Sequence, residues 1–543
     1  MMRLRGPGQC TANTRKPNLK NIVVSRPVRT GAVACRAMLP VGVPISVLTD
    51  SYKATHFLQY PKAQKMVAYG EFRQGFNKDK TDTRLVSYGM RYLVETYISR
   101  QWTMEDVEMA DAFYRTHMAP NHTAFPFPRA LFEKFVRENN GFFPVKLETL
   151  PEGTCAHVRV PVYQITAVGE YAPLCTFLET ILTMIWYPTS VATLSRRARD
   201  VVEASFARTS DGGVGSPLVQ SKLHDFGFRG CTGVEQSIIG GCAHLLSFTG
   251  SDTMSAAFYA QFKLNGGRPV AMSIPATEHS VMTAWPTEAA AMNNMIDHFG
   301  TGIYACVMDS YDYAKALSEV LPSVSVHKLS KGGYLVLRPD SGDPTEAVLM
   351  ALAAAEKVFG TTRNGKGFKV IPGCGVIQGD GIDLPTMEKI ALAIEAAGYA
   401  ADNVSYGMGG GLLQKVNRDT MSFATKLNHI IYEDGRAADI MKQPQTDTGK
   451  FSLPGVLAVK RVDGVPTVFP ADSGEVAPHE NLLRVVYDCG PLAGVWEDFD
   501  TVRARVAAEW TALPKTSDNI SASLKEKVRQ QMALRGKVPA LAH

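Results

Sequence analysis

Charged residues follow many of the apolar, strand-forming runs between residues 222 and 412. The run Tyr334–Leu337 leads straight into Arg338, and a Pro-Asp-Ser-Gly turn then supplies Asp340. Comparable strand ends supply Arg229, Asp252, His279, Asp309 and Asp380. Because the carboxyl ends of parallel strands meet on one face of a barrel, we expect these side chains to share an active site. The alternative for any one of them is a structural role at a strand-helix corner, such as a satisfied Arg-Asp pair.

The residue types at these strand ends suit a phosphorylated sugar. Arg229 and Arg338 carry guanidinium groups, whose forked donors match the oxygens of phosphate or pyrophosphate. The run Gly409–Gly411 lets backbone amides at a helix start approach a second phosphate. Aspartates could hold ribose hydroxyls or position Mg²⁺, which binds phosphate oxygens with few carboxylates. The predicted ligand is therefore a sugar with phosphate at one end and pyrophosphate at the other.

The elements that must position these residues alternate between strand and helix. The predicted strands are Lys222–Phe226, His244–Phe248, Val270–Ile274, Ile303–Met308, Tyr334–Leu337, Lys369–Ile377 and Asn403–Tyr406. Helical patterns separate most of them, and one of these patterns covers Ser280–Phe299. Repeated strand-helix units indicate a parallel sheet, and their number favours a barrel. The fold class is therefore α/β, with an irregular barrel and an additional α+β domain.

The regions on either side of the barrel have mixed patterns. Before it, strand-like runs alternate with helical ones such as Arg84–Arg100, and after it strand-rich sequence returns. We therefore expect an α+β domain built from N-terminal and C-terminal segments. The predicted divisions are a transit peptide or disordered tail (1–40), an N-terminal α+β region (41–210), the barrel with the active site (217–426), a return to the α+β domain (427–512) and a polar basic tail (513–543).

Composition limits the class of protein. The chain of 543 residues is 45% hydrophobic and 20% charged, as in ordinary globular proteins, and it has no apolar run of membrane-spanning length. Its nine cysteines form no CxxC pair, which argues against a zinc site or a disulfide framework. The formal net charge of +5 includes eight Lys and Arg residues within residues 1–36, so the remainder is −3 and carries no nucleic-acid footprint.

The first acidic residue of the chain is Asp50, and the stretch before it is rich in arginine and small residues. This pattern is typical of an organelle transit peptide, with a processing region near Val33–Ala37. The predicted localisation is a plastid or a mitochondrion. The alternative is a disordered tail on a cytoplasmic protein.

Eight motifs, in order from about Pro44 to about Asp500, resemble the nicotinamide phosphoribosyltransferase family of type II phosphoribosyltransferases. They begin at Thr49 (TDSYK), Lys222 (KLHDFGFRG), Gly250 (GSDT), Glu278 (EHS), Asp309 (DSYD), Arg338 (RPDSGDP), Val376 (VIQGDG) and Gly409 (GGGLLQK). The resemblance implies an irregular α/β barrel with an α+β domain. It also implies a homodimer that joins nicotinamide to phosphoribosyl pyrophosphate, giving nicotinamide mononucleotide and pyrophosphate.

The resemblance also implies roles for individual residues. Phe226, together with Tyr52 of a partner subunit, would sandwich the pyridine ring, and Asp252 would face the amide. Asp50 and Ser273 are implied as substrate-binding residues. Arg229 and Arg338 would bind the pyrophosphate, with Asp309 at the pyrophosphate or its Mg²⁺. Asp340, Gly379 and Asp380 would surround the ribose, and Gly409 and Gly410, with Arg418 and Lys426 from the partner, would bind the 5-phosphate. Family members often have Ser where Met408 stands, so the detail of that loop differs.

In the family, the histidine that matches His279 is phosphorylated by ATP, which drives synthesis of the mononucleotide. The resemblance therefore implies ATP as a co-substrate and Mg²⁺ as a cofactor, with the metal ligands left open. Two alternatives remain from the sequence. One is a nicotinate phosphoribosyltransferase, against which Asp252 and the Glu278-His-Ser motif argue. The other is a catalytically silent binding protein, which would be expected to lack Arg338, Asp252 or His279.

Overall fold

The computed structural model describes residues 43–442 and 451–535. The predicted transit peptide (1–40) and residues 536–543 of the predicted tail lie outside the described residues. In chain order, the strands are β1 (Ala63–Glu71), β2 (Arg84–Ser87), β3 (Val145–Thr149), β4 (Thr154–His157), β5 (Pro161–Val168), β6 (Leu223–Asp225), β7 (Gly250–Ser251), β8 (Ile303–Val307), β9 (Tyr334–Arg338), β10 (Thr362–Arg363), β11 (Lys369–Val370), β12 (Cys374–Gln378), β13 (Val404–Met408), β14 (Ala424–Tyr432), β15 (Ala437–Asp439), β16 (Leu457–Val462), β17 (Val465–Pro470) and β18 (Arg484–Asp488).

Helices lie between most of these strands. The α-helices are α1 (His56–Gln59), α2 (Met90–Leu93), α3 (Met104–Tyr114), α4 (Arg129–Glu138), α5 (Leu174–Phe177), α6 (Glu179–Thr183), α7 (Trp186–Thr209), α8 (Val234–His244), α9 (Met254–Tyr259), α10 (His279–Ala284), α11 (Glu288–Phe299), α12 (Tyr313–Lys315), α13 (Leu321–Lys331), α14 (Pro344–Phe359), α15 (Leu384–Ala396), α16 (Gly410–Leu413), α17 (Phe499–Ala512) and α18 (Ala522–Arg535). Among these described helices, none is both long enough and apolar enough for a membrane span.

An antiparallel sheet joins the two ends of the chain. Its six strands have the order β15-β14-β1-β5-β3-β18, so strands from before the barrel pair with strands from after it. In β1, Val67 pairs with Thr166 on one side and with His429 on the other. This arrangement confirms the predicted α+β domain of N-terminal and C-terminal segments.

A second sheet forms the barrel. Its order is β7-β6-β13-β12-β9-β8, and every neighbouring pair is parallel. Isolated parallel bridges extend from its edge strands to one irregular segment, from Gly250 to Met272 and from Ala276 to Ala305. The predicted irregular α/β barrel is therefore confirmed. Its strands are buried on both faces, as expected for a parallel sheet covered by helices.

Local sequence explains how the helices begin at the barrel mouth. Asp343 accepts hydrogen bonds from the backbone N–H groups of Thr345 at 2.9 Å and Glu346 at 3.0 Å, and Pro344 is the first residue of α14. A side-chain cap followed by proline is a strong helix start, so Asp343 is a structural residue.

Five of the predicted elements are wrong in type or extent. The predicted strand Lys369–Ile377 is two strands, β11 and β12, which belong to different sheets. His244 ends α8, so the predicted strand His244–Phe248 is a helix end and a turn, while Val270–Ile274 forms only isolated bridges. The predicted helix Arg84–Arg100 begins as strand β2, and Ser280–Phe299 contains two helices because Thr287 caps a new one after Pro286. Short apolar runs do not distinguish a strand from the end of a buried helix, because tertiary pairing decides between them.

Candidate active site

Four of the predicted site residues meet where β8 and β9 end. His279 Nε2 lies 3.4 Å from Asp340 Oδ2 and 3.9 Å from Asp309 Oδ1. Asp340 Oδ2 lies 3.9 Å from Arg338 Nη2. The other ring nitrogen of His279, Nδ1, lies 3.1 Å from the hydroxyl of Ser310. The barrel therefore brings a histidine, two carboxylates and an arginine into one cluster.

Asp309 is the buried member of this cluster, with a side chain only 4% exposed. Its Oδ2 accepts hydrogen bonds from the Asp340 backbone N–H at 3.0 Å and from the Ser341 hydroxyl at 2.5 Å. Its Oδ1 is buried without a hydrogen-bond partner among the described residues, as is Nε of Arg338. Buried polar atoms are normally paired, so these two atoms are available to a ligand.

Phe226 lies across the ends of the neighbouring strands. A Cβ on Gly407 would lie 2.1 Å from Phe226 Cε2, and one on Gly379 would lie 3.2 Å from the same atom. Glycine at these positions leaves room for the ring. The half-buried ring also packs on the barrel core formed by Ala305 and Val336. A Cβ on Gly379 would also lie 3.5 Å from Asp340 Oδ1, so Phe226 is beside the histidine cluster.

Asp252 is exposed at the mouth of the barrel, directly after β7. Its Oδ1 accepts a hydrogen bond of 2.5 Å from the Ser273 hydroxyl, and its backbone N–H donates to the Asp225 carbonyl at 3.0 Å. The side chain does not cap α9, whose N-cap residue is Thr253. Asp252 is therefore not a helix cap, and its Oδ2 remains available to a ligand.

The remaining strand ends supply backbone groups and exposed side chains. Gly409 is the N-cap residue of α16, as the glycine run predicts, and Gly410 is the first helical residue. The backbone carbonyl of Asp380 accepts a hydrogen bond of 2.9 Å from Gln378 Nε2, which fixes the turn after β12. Arg229 is exposed on the turn Phe228–Gly230 that follows Phe226.

Arg418 and Lys426 lie in a different part of the chain. Both line a cavity of about 920 Å³ beside the antiparallel sheet, where Lys and Arg side chains outnumber carboxylates by seven to three. None of the barrel-mouth residues named above lines this cavity. Burial and the nearby cations Arg73 and Lys442 lower the pKa of the Lys426 ammonium group. The cavity has the charge expected of an anion site.

Asp50 and Tyr52 lie on the same side of the protein as this cavity. Asp50 Oδ2 accepts a hydrogen bond of 2.9 Å from the Thr180 hydroxyl, while the Tyr52 side chain is 56% exposed. The adjacent Lys53 forms an ion pair with Glu179, and Glu179 also lines the basic cavity. One chain thus carries two separate groups of predicted site residues.

Sequence reasoning missed several residues that hold the site together. Ser310 hydrogen-bonds His279, and Ser341 hydrogen-bonds Asp309. Both serines lie inside the quoted motifs, in which only the charged residues were predicted to belong to the site. Asp225 and Gln414 hydrogen-bond the backbone beside Phe226, and no spacing in the sequence indicates that contact.

Comparison with known proteins identifies the family. Residues 221–490 match the nicotinate phosphoribosyltransferase (NAPRTase) family, and residues 44–147 match the N-terminal domain of nicotinamide phosphoribosyltransferase. A nicotinamide phosphoribosyltransferase of Xanthomonas campestris is 37% identical over 473 residues, which cover 85% of this chain and 97% of the relative. The enzyme of the same name from Acinetobacter baylyi is 28% identical over 493 residues, with 85% and 96% covered.

Two solved structures share the fold at lower identity. Human nicotinic acid phosphoribosyltransferase superposes with a TM-score of 0.59 at 18% identity, covering 89% of this chain and 100% of that chain. Nicotinate-nucleotide pyrophosphorylase from Pyrococcus furiosus gives 0.56 at 15% identity, with 86% and 96% covered. The chain shares more sequence identity with the two nicotinamide phosphoribosyltransferases than with these two solved structures. The chain belongs to the nicotinamide phosphoribosyltransferase family.

Proposed function

We propose that this protein transfers the phosphoribosyl group of phosphoribosyl pyrophosphate to nicotinamide, giving nicotinamide mononucleotide and pyrophosphate in NAD salvage. The observation that carries the proposal is the grouping at one barrel mouth. The ring of Phe226 lies beside the cluster around His279, and the backbone N–H of the exposed Asp252 donates to the carbonyl of Asp225, the residue before Phe226. This set matches a flat pyridine ring at one end and a charged sugar phosphate at the other.

Asp252 supports nicotinamide rather than nicotinate as the base. Ser273 holds Oδ1, so Oδ2 can accept a hydrogen bond from the amide N–H of nicotinamide. Nicotinate would place a second negative charge against this carboxylate, and like charges in close contact cost several kcal/mol. Nicotinate phosphoribosyltransferase activity is therefore the second candidate. It is included in the test because residues 221–490 match the nicotinate phosphoribosyltransferase family.

The sugar phosphate would extend from the ring across the strand ends. Arg338 and Arg229 would bind the pyrophosphate, and Asp340, Gly379 and Asp380 would surround the ribose. The backbone N–H groups at Gly409 and Gly410 would hold the 5-phosphate at a helix start. Arg338 is well placed for this role because its Nε has no hydrogen-bond partner among the described residues.

The chemistry follows from this arrangement. The pyridine nitrogen uses its own lone pair to form the bond to C1 of the ribose, while the C1–O bond breaks and pyrophosphate leaves with the electron pair. No residue has to remove a proton from the nucleophile. The protein contributes position, since Phe226 and Asp252 orient the ring, and electrostatic stabilisation, since Arg338 and Arg229 face the charge on the leaving group.

Asp309 and Asp340 fit a Mg²⁺ ion that arrives with pyrophosphate. Mg²⁺ usually takes only one or two protein carboxylates and binds phosphate oxygens with its other positions. The unpaired Oδ1 of Asp309 fits such a shared site. The described residues contain no group of three or more potential metal ligands that would form a complete site of their own.

We also propose that His279 is phosphorylated by ATP. With the ring proton on Nδ1 shared with Ser310, Nε2 carries a lone pair. Nε2 would bond to the γ-phosphorus of ATP while the bond from that phosphorus to the bridging oxygen breaks and ADP leaves. Arg338 lies next to Asp340 and would stabilise the added phosphoryl charge.

A homodimer with shared sites would bring the two halves of the site together. Tyr52, Arg418 and Lys426 face solvent or the basic cavity rather than the barrel mouth of their own subunit. Beside Asp252, an apolar stripe at helical spacing is exposed: Met254 by 79%, Phe258 by 61% and Phe262 by 53%. Exposed apolar patches of this kind mark protein interfaces, and we propose that a second copy covers it.

We propose that residues 1–40 direct the protein to a plastid or a mitochondrion. The basic, acid-free composition supports this proposal. Mass spectrometry of the mature N-terminus from the native source tests it, and an N-terminus that retains all of residues 1–36 would argue for a cytoplasmic protein.

One assay tests the proposed activity. The purified protein is given phosphoribosyl pyrophosphate and Mg²⁺ with either nicotinamide or nicotinate, with and without ATP. We expect nicotinamide mononucleotide, a strong preference for nicotinamide and stimulation by ATP. A preference for nicotinate would support the second candidate, and turnover of neither base would indicate a binding protein that retains the fold.

A further inference from the structure

The peptide groups of Gly227 are held from two sides. Asp225 Oδ1 accepts a hydrogen bond of 2.7 Å from the Gly227 N–H. Gln414 Nε2 donates a hydrogen bond of 2.9 Å to the Gly227 carbonyl oxygen. Asp225 is the last residue of β6, whereas Gln414 directly follows α16, so the two contacts come from different units of the barrel.

Gly227 lies between two residues that the proposed function uses. Phe226 precedes it, and the turn Phe228–Gly230, which carries Arg229, follows it. A Cβ on Gly227 would lie 2.6 Å from Leu413 Cδ1 and 3.0 Å from Asp225 Oδ1, so the peptide fits closely between its two partners. A shift of this peptide would move both the ring and the guanidinium group.

Gln414 also links this turn to the glycine loop. It follows α16, which begins at Gly410, and its Oε1 is buried without a hydrogen-bond partner among the described residues. A Cβ on Gly230 would lie 2.7 Å from Gln414 Oε1, and a Cβ on Gly410 would lie 3.7 Å from the same atom. One side chain therefore contacts the loops proposed for the pyrophosphate and for the 5-phosphate.

We propose that Asp225 and Gln414 are positioning residues that clamp Gly227 and thereby set the distance between the nicotinamide-stacking ring, the pyrophosphate-binding arginine and the 5-phosphate loop. This inference rests on the proposed function for the identity of the substrates. Neither residue has to touch a substrate. The clamp joins the three parts of the site, so misplacement of Gly227 affects both substrates together.

The environment of Asp225 supports a functional role. Its side chain is fully buried, with the Thr253 hydroxyl beside it. Burial, and to a smaller extent the neighbouring carboxylate of Asp252, raise its pKa to about 6. A buried carboxyl group of this kind is unfavourable for folding, and such local conflicts concentrate at functional sites.

The test uses three variants and two controls in the full-length protein. Asp225→Ala removes the acceptor for the Gly227 N–H, whereas Asp225→Asn retains an oxygen at that position. Gln414→Met keeps the shape of the side chain and removes the donor. The matched controls are Asp106→Asn, whose carboxylate accepts from the Thr103 N–H at 2.9 Å, and Gln101→Met, whose amide donates to the Asn140 carbonyl at 2.6 Å, both in the α+β region.

We expect Asp225→Ala and Gln414→Met to raise KM for nicotinamide and for phosphoribosyl pyrophosphate and to lower kcat/KM for both by at least about tenfold, since small misplacements of binding groups are costly. Asp225→Asn should recover kcat/KM to within about threefold of the wild type because it restores the acceptor. The two controls should leave both KM values unchanged. A purely structural role would lower Tm and the active fraction while the KM values stayed the same, and that result would overturn the proposal.

Hydrogen exchange separates this inference from the proposed function. The backbone amides of residues 226–230 should exchange faster in Asp225→Ala and in Gln414→Met than in the wild type, whether or not the protein turns over nicotinamide. Unchanged exchange in this segment would overturn the clamp. An inactive wild-type protein with the expected exchange pattern would instead overturn the proposed function alone. If Asp225→Ala does not fold, Gln414→Met decides the outcome.

Discussion

His279 Nε2 and Asp340 Oδ2 lie 3.4 Å apart, at the ends of segments that are 61 residues distant in the chain. The same carboxylate is 3.9 Å from Arg338 Nη2, so Asp340 stands between the histidine and the arginine. This arrangement lets one carboxylate limit the positive charge of the arginine when no phosphate is bound, while Ser310 holds the other ring nitrogen of His279. It also makes the roles of the three residues separable by substitution.

Replacement of the histidine should separate basal synthesis from its stimulation. In His279→Ala we expect ATP to have no effect on the rate, while synthesis without ATP remains in part, because the pyridine nitrogen needs no base. Initial rates with and without ATP, and mass spectrometry for a phosphoryl group on the wild-type protein, provide the measurement. An ATP effect as large as that of the wild type would exclude His279 as the phosphorylated residue.

Asp252 should determine the choice of base. Asp252→Asn removes the negative charge that faces the substrate carboxylate, so the ratio of kcat/KM for nicotinamide to that for nicotinate should fall at least about tenfold. Competition assays with both bases at fixed phosphoribosyl pyrophosphate measure this ratio. If the ratio does not change, the carboxylate does not determine specificity.

Arg338 should be intolerant of lysine. An ammonium group keeps the charge but cannot present the paired donors of guanidinium to pyrophosphate. We expect Arg338→Lys to lower kcat/KM for phosphoribosyl pyrophosphate by about 10- to 100-fold, equivalent to about 1.4–2.8 kcal/mol, with a smaller change for nicotinamide. Lys389→Arg, at an exposed ion pair with Asp343, is the control and should behave as the wild type. Equal activity of Arg338→Lys would place the pyrophosphate elsewhere.

Asp225 should make stability depend on pH. Its pKa is raised to about 6 in the folded protein, so the folded state holds this proton more tightly than the unfolded state. The stabilising contribution is complete below the unfolded pKa of about 4 and is lost as pH rises through about 6. Relative to the wild type, Asp225→Asn should therefore gain stability between pH 4 and 6 and keep a constant advantage above pH 6.

Urea unfolding of the wild type and Asp225→Asn at several pH values measures that difference. Two pKa units correspond to about 3 kcal/mol, which is the largest advantage expected for the variant at neutral pH. A difference that is independent of pH from 4 to 8 would mean that Asp225 does not titrate in this range.

Shared active sites should allow complementation. Tyr52→Ala and Asp252→Ala should each be nearly inactive as homodimers, because every site then lacks one member. Mixing and reassembly gives about half heterodimers with one intact site each, so about a quarter of the wild-type activity should return. No recovery in a preparation shown to exchange subunits would mean that each subunit builds its own site.

The sequence alone determined much of the barrel and most of the candidate site. Asp309 and Arg338 directly follow apolar runs of strand-forming composition, Asp340 comes two residues after Arg338, and parallel strands place their carboxyl ends on one face. Asp343 could be assigned as a helix cap because the signal is local: a residue with a side-chain oxygen is followed by a proline and then by a helical pattern. These features depend on neighbours within a few residues.

Tertiary structure decided whatever depended on pairing between distant segments. His244–Phe248 and Gly250–Ser251 are both short apolar or small runs, and only the pairing of Gly250 with His224 shows which one is the strand. Tyr52 and Arg418 lie apart from His279, whereas Gln414 contacts Gly227. The spacing of these residues in the chain predicts neither relationship. Such contacts arise because packing of the whole chain, rather than local propensity, determines which surfaces meet.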